Sequence, residues 1–119
     1  MKKNILVIMR SAPYGQSRAR DAIDLILTSA AYDQEISVLF QSDGIFQLIA
    51  EQQPKDLGLK NINAQISAFE MYDIEAVYYD QESLSARRLK PEQLNDQIKP
   101  VSNSEIQTLL NQADTVLTF

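Results

Sequence analysis

Two aspartates are the clearest candidates for acid–base chemistry in this chain. It contains no cysteine and no histidine, which excludes thiol chemistry, disulfides and zinc sites built from Cys or His. Any catalysis would have to use carboxylates, Lys, Tyr or a cofactor. Asp43 and Asp80 could approach each other and act as a carboxylate pair. Each of them also stands where a helix cap is expected, and capping is the favoured role.

The loop after the first apolar run is a candidate phosphate cradle. Ser11, Gly15 and Ser17 lie just before an expected helix N-terminus, where backbone N–H groups can bind an anion. However, the loop lacks both the Gly-x-Gly-x-x-Gly spacing and the Gly-Lys-Ser/Thr spacing of a P-loop. An ordinary β–α connection is therefore favoured over nucleotide or flavin binding. A receiver domain is disfavoured because Met9 and Arg10 stand where its acidic residues would follow the first strand.

Size and charge narrow the class of protein. The 119 residues, 45% of them hydrophobic, fit one domain spanning residues 1–119 around one core. The net charge of −5 argues against a general nucleic-acid binder, although Arg10, Arg18 and Arg20 could form a local basic patch. The apolar run Ile5–Met9 is too short for a signal sequence, and no run approaches a membrane span. A cytoplasmic location is expected, and no cofactor or metal site is predicted.

The stretch from Val38 to Leu48 joins a buried strand to a short apolar element through the turn Ser42-Asp43-Gly44. Asp43 is expected to cap the element, and Gly44 to supply backbone freedom. The apolar load of this element exceeds what a short helix can bury on one stripe, so a protein interface is expected, with plain core as the alternative. The interface candidates are Ile45, Phe46, Leu48, Ile49, Tyr78 and Tyr79.

Hydrophobic periodicity predicts strands that alternate with helices. The predicted strands are Asn4–Met9, Ile36–Phe40, Glu75–Tyr79, Ile98–Val101 and Thr115–Phe119. The fourth is weak, because Pro100 cannot donate to a ladder, and is either an edge strand or an extended loop. The predicted helices run from Ser17 to about Tyr32, from Asn61 to about Asp73, from Gln81 to about Arg88, and onward from a capping box at Ser102–Glu105. Residues 51–60 read as a surface loop. This order predicts a three-layer α/β/α sandwich with a mostly parallel five-stranded sheet, flavodoxin-like in outline.

Ligands of such sheets bind beyond the carboxyl ends of the strands. Three loops should meet there: residues 11–16, residues 41–44 and the turn at Asp80. We expect Asp80 to cap the helix that begins at Gln81 by accepting from the N–H of Glu82 or Ser83.

Three stretches resemble one known family. Phe40–Leu48, the opening Ile5–Met9 with Ser11-Ala12-Pro13-Tyr14-Gly15, and Tyr72-Asp73-Ile74-Glu75 are similar to the DsrF-like, or TusC, branch of the DsrE/DsrF/DsrH sulfur-relay family. The similarity runs to Leu117-Thr118-Phe119 and so covers nearly the whole chain. The first stretch is specific, and the others support it.

The resemblance implies a subunit of a TusBCD complex, a dimer of heterotrimers with TusB-like and TusD-like partners. Such complexes pass persulfide sulfur from a TusA-like to a TusE-like protein and toward 2-thiouridine at the tRNA wobble position. In the family, the relay cysteine belongs to the TusD-like subunit, and Asp80 or a direct neighbour stands at the matching place. Since this chain has no cysteine, the resemblance implies an organising subunit without catalytic residues, nucleic-acid contact or membrane contact.

Two other functions stay open on the sequence alone. One is a stand-alone flavodoxin-like protein that binds a nucleotide or flavin. The other is a homo-oligomeric binding module with no role in sulfur transfer.

Overall fold

The computed structural model describes residues 3–10, 18–32, 34–48, 68–72, 74, 76–94 and 98–119. The predicted phosphate loop, the cap Ser17, the polar segment 51–60 and the start of the helix at Asn61 lie outside these residues. So do Ile49 and the side chains of Arg18 and Arg20, which belonged to the predicted interface and basic patch.

The centre of the fold is a parallel sheet. Its strands are β1 (Asn4–Met9), β2 (Glu35–Phe40), β3 (Ala76–Asp80), β4 (Lys99–Val101) and β5 (Thr115–Thr118). They lie in the order β4-β3-β2-β1-β5, and every neighbouring pair is parallel. The uninterrupted apolar sequence of β1 fits its central position, because such a strand is covered on both faces. Pro100 lies in β4 at the sheet edge, where the missing N–H costs least.

Within the described residues, three helices pack on the sheet: α1 (Arg18–Ala31), α2 (Gln81–Ala86) and α3 (Asn103–Gln112). Short 3₁₀ helices span Ser42–Leu48, Ala68–Tyr72 and Pro91–Gln93. The capping box predicted at the start of α3 is confirmed: Ser102 accepts from the Glu105 N–H, and the Glu105 carboxylate accepts from the Ser102 N–H at 3.0 Å.

Two apolar clusters lie on opposite faces of the sheet. Along β1, Val7 and Met9 belong to one cluster, and Leu6 and Ile8 belong to the other, as strand alternation requires. The first and larger cluster takes in α1, α2 and the first two 3₁₀ helices through the buried side chains Ala22, Ile23, Ile26, Leu84, Ile45, Leu48 and Phe69. The second cluster takes in α3 through Ile106. The predicted three-layer α/β/α sandwich is therefore confirmed, with the first face more heavily covered by the described helices.

Candidate functional site at the carboxyl edge of the sheet

The crossovers change face between β3 and β4. Helix α2, which follows β3, packs in the first cluster, whereas α3, which follows β4, packs in the second. Because β3 and β4 are neighbours, with Asp80 paired to Val101, their carboxyl ends flank the topological switch point where open α/β sheets bind ligands. Asp80 is the last residue of β3 and stands at this point.

Asp80 caps α2, as the sequence predicts. Its backbone is extended, and Oδ1 accepts from the Glu82 N–H at 3.1 Å. Only 5% of the residue is exposed, and Oδ2 accepts a 2.8 Å hydrogen bond from the Ser83 hydroxyl. Both carboxylate oxygens therefore have protein partners, which is what a buried carboxylate requires. Asp80 is a structural cap in this geometry and leaves no exposed group for an incoming reactant.

Ser83 extends this contact to the turn after β2. Its oxygen accepts the Ser42 N–H at 2.9 Å while its hydroxyl proton is given to Asp80. The residue is 7% exposed. One buried hydroxyl thus joins the start of α2 to the start of the first 3₁₀ helix. The sequence predicts Ser83 only as a possible backbone donor to Asp80, whereas the structure shows its side chain bonded to that carboxylate.

Asp43 pairs with Arg87 rather than capping the 3₁₀ helix. Arg87 donates from Nε and Nη2 to one oxygen, Asp43 Oδ1, at 3.2 and 3.0 Å, and from Nη1 to the Ser83 carbonyl at 3.2 Å. The expected capping role of Asp43 is therefore wrong, since the helix already begins at Ser42. The two aspartates have separate partners, an arginine for Asp43 and a serine with a backbone N–H for Asp80. This division of partners argues against a carboxylate pair that shares a proton.

Gly44 is required because two segments approach closely. A Cβ built at this position would lie 1.8 Å from the Met9 carbonyl oxygen and 2.6 Å from its carbon, and no side chain can occupy that space. The carbonyl of Met9 also accepts from the Gln41 N–H at 3.0 Å. The left-handed residue of the turn is Ser42, with φ of 52°. The prediction that Gly44 supplies the unusual backbone conformation of the turn is therefore wrong, because Ser42 adopts it. Gly44 is needed instead because the turn contacts the backbone of β1 there.

The ends of the central strands are joined by further hydrogen bonds. Arg10, which follows β1, donates from Nη2 to the Ser42 hydroxyl at 3.2 Å and from its backbone to Phe119 at 2.6 Å. The carboxyl edge is therefore a continuous polar network from β5 through β1 and β2 to β3. It fixes the turn after β2 and the start of α2 relative to the end of β1.

The predicted interface residues separate into buried and partly exposed groups. Ile45 and Leu48 are 0% exposed, and Tyr79 is 5% exposed. The short helix does bury Ile45 and Leu48, contrary to expectation, because these side chains fill the first core cluster. Phe46 and Tyr78 are each half-buried and stay candidates for an interface, while Ile49 lies outside the described residues. Tyr79 is packed in the first cluster, and Tyr78 packs against the second cluster with part of its side chain exposed.

Tyr79 is the described side chain whose ionisation is clearly perturbed. Burial raises the pKa of its phenol above the ordinary value of 10.0, and the negative charge of Glu92 raises that pKa further. Both effects favour the neutral phenol. Tyr79 therefore stays protonated at neutral pH and acts as a core residue.

Two features are absent from the described residues. Within them, no cluster of three or more acidic side chains could hold a metal ion, and no helix is long and apolar enough to cross a membrane. The polar groups of the edge are engaged with one another in pairs and chains. Such a network suits the rigid presentation of a surface.

Comparisons with known sequences agree on one family. The model of the DsrE/DsrF-like family matches residues 3–119. A protein named TusC homolog from Vibrio vulnificus (strain CMCP6) is 36% identical, with 94% of this chain and 95% of the relative aligned. The intracellular sulfur oxidation protein DsrF of Allochromatium vinosum is 30% identical, with 98% of this chain and 96% of the relative aligned. The crystal structure of the Escherichia coli ychN protein has the same fold, with a TM-score of 0.85 over the whole of both chains at 21% identity.

Proposed function

Because this chain belongs to the DsrE/DsrF-like family, we propose that it is a non-catalytic subunit of a TusBCD-type sulfur-relay complex. In this role it supports a cysteine-bearing partner while persulfide sulfur passes toward 2-thiolation of the tRNA wobble uridine. The observation that carries the proposal is the pairing of near-full-length similarity to TusC homologues with a sequence that has no cysteine.

The expected assembly is a cytoplasmic heterohexamer, a dimer of trimers with TusB-like and TusD-like subunits. TusA-like and TusE-like proteins would meet this chain through the complex. No direct contact with nucleic acid is expected, since the net charge of −5 gives no general basic field. The partly exposed side chains of Phe46 and Tyr78 are the candidate contacts with the partner subunits.

Asp80 is proposed to stand where the cysteine-bearing paralogue has its relay cysteine. The place follows a mid-sheet strand and precedes a helix, as it does in the paralogue. Here the carboxylate is tied to Glu82 and Ser83 and is 5% exposed. A cysteine at this position is expected to form a reactive thiolate only if solvent can reach it. In the isolated chain the position is shielded, so an introduced cysteine should react slowly.

Two measurements on the purified complex test the proposal: which subunits co-purify, and which of them takes up sulfur from a labelled persulfide donor. A tagged copy expressed with its TusB-like and TusD-like neighbours should elute as one hetero-oligomer. After incubation with a ³⁵S-labelled persulfide donor, the covalent label should be found on the cysteine-bearing partner and absent from this chain under non-reducing conditions. Elution without those partners, or covalent label on this chain, would contradict the proposal.

A further inference from the structure

A groove opens on the second face of the sheet, between α3 and the strands β3 and β4. It has a volume of about 200 Å³ and is lined by Tyr78, Val101, Glu105, Thr108 and Leu109. Among the described helices, only α3 packs on this face through the second cluster. The groove adjoins the polar network at the carboxyl edge, because its lining residue Val101 is paired with Asp80 across β3 and β4.

The lining combines an aromatic ring, apolar walls and a carboxylate, which together suit a long basic side chain. Tyr78 contributes a half-buried aromatic ring, and Val101 and Leu109 contribute apolar walls. Glu105 contributes the only charged group of the lining. An aromatic ring attracts a cation over its face, and apolar walls accept the methylene stem of a long basic side chain.

The Glu105 carboxylate is held in place before any partner arrives. Oε1 accepts from the Ser102 N–H and from the Ser102 hydroxyl, both at 3.0 Å, and the Glu105 N–H donates to that hydroxyl at 3.4 Å. Oε1 is the oxygen that accepts both hydrogen bonds between this carboxylate and the described residues. The second oxygen is the one that can accept from a visiting donor without loss of the cap.

The size of the groove decides between a small molecule and a side chain. Pockets for drug-sized ligands and cofactors have volumes of roughly 300–1,000 Å³, and this groove is smaller. A single inserted side chain fits such a space. Guanidinium is the better cation here, because its flat face stacks on a ring while its donors reach a carboxylate.

We propose that this groove receives an arginine side chain from a partner protein, with the guanidinium against Tyr78 and Glu105 and the stem against Leu109. The charge of the chain agrees, since it carries 16 acidic and 11 basic residues. Lys99 pairs with Tyr78 across β3 and β4 and so lies on the same face, yet it makes no ion pair with Glu105 in the structure. Because Tyr78 is also a candidate contact with the partner subunits, the identity of the arginine donor rests on the proposed function, whereas binding of an arginine probe to this chain alone does not.

Nα-acetyl-L-arginine amide is the probe, and its neutral citrulline counterpart is the control. In ¹H–¹⁵N spectra of the intact chain, the arginine probe should shift the signals of Tyr78, Glu105 and Leu109 saturably, and the citrulline probe should not. Free L-arginine should bind no more tightly than the capped probe. Equal shifts by both probes, no shift at millimolar concentration, or clearly tighter binding of free L-arginine would overturn the proposal.

Substitutions test whether the affinity for the arginine probe depends on the charge of Glu105 and on the ring of Tyr78. Glu105→Gln keeps a capping box, because Gln also accepts from the N-cap N–H, and it should weaken the arginine probe about fivefold, the scale of an exposed ion pair. Tyr78→Phe keeps the ring and should bind as the unmodified chain does, whereas Tyr78→Leu should weaken binding. Unchanged affinity in Glu105→Gln contradicts the site even if Tyr78→Leu fails to fold.

Discussion

The hydroxyl of Ser83 donates a 2.8 Å hydrogen bond to Asp80 Oδ2 and is the only side-chain hydroxyl bonded to that carboxylate in the described residues. The same oxygen accepts the Ser42 N–H at 2.9 Å. The cap of α2 and the turn after β2 therefore depend on one shared atom. A change at Ser83 must disturb both segments at once.

We predict that Ser83→Ala lowers the free energy of unfolding by about 1–3 kcal/mol, because it leaves the buried Asp80 carboxylate and the partly buried Ser42 N–H without this partner. Ser85→Ala is the matched control, since Ser85 is exposed on the same helix and such changes usually stay within about 0.5 kcal/mol. Urea denaturation monitored by circular dichroism measures both.

Asp80→Ala should cost a similar amount, and the double variant should cost less than the sum, since the two residues share a hydrogen bond. Equal stability of Ser83→Ala and Ser85→Ala, or strict additivity of the double variant, would show that the contact contributes nothing.

The contact between Gly44 and Met9 gives a second prediction. Gly44→Ala should lower the free energy of unfolding by about 3 kcal/mol or more, because the added methyl collides with backbone rather than with a movable side chain. Ser42→Gly is the comparison two residues away. It removes the hydrogen bond that Arg10 donates to the Ser42 hydroxyl, but glycine adopts the left-handed conformation of Ser42 without strain. The two effects oppose each other, so the free energy of unfolding should change by less than about 1 kcal/mol. A Gly44→Ala chain as stable as the unmodified chain would refute the close approach.

These two sites also show which features of the fold can be predicted from local sequence and which cannot. The strands, the helix after Asp80 and the capping box at Ser102 were predictable, because each depends on local periodicity or on residues within four positions. The role of Gly44 was not predictable, since it depends on Met9, a residue distant in sequence that the fold brings alongside. The Asp43–Arg87 ion pair and the Ser42–Ser83 hydrogen bond were missed for the same reason. Burial of Ile45 and Leu48 was misjudged because a lone helix was considered without the sheet and α2 that cover it.

Tyr79 predicts a specific loss of stability at alkaline pH. Its phenol has a raised pKa in the folded chain, so the folded state holds its proton above the pH at which the unfolded state releases it. The resulting stabilisation is complete below about pH 10, the unfolded value, and is lost as the pH rises through the folded value.

The unmodified chain should therefore lose stability more steeply than Tyr79→Phe when unfolding is followed from about pH 8 to about pH 11. Tyr32→Phe, at a tyrosine that is 76% exposed, should follow the unmodified chain. Parallel curves for the unmodified chain and Tyr79→Phe would contradict the effect.

The relay role makes its most direct prediction in the cell. A chain without cysteine can support sulfur transfer only through its partners, so its removal should lower transfer although it carries no sulfur itself. The measurement is the 2-thiouridine content of wobble uridines in bulk tRNA, by liquid chromatography and mass spectrometry, in a strain that lacks this gene. The account predicts a marked fall that a plasmid copy of the gene restores, and a normal 2-thiouridine content in the deletion strain would contradict it.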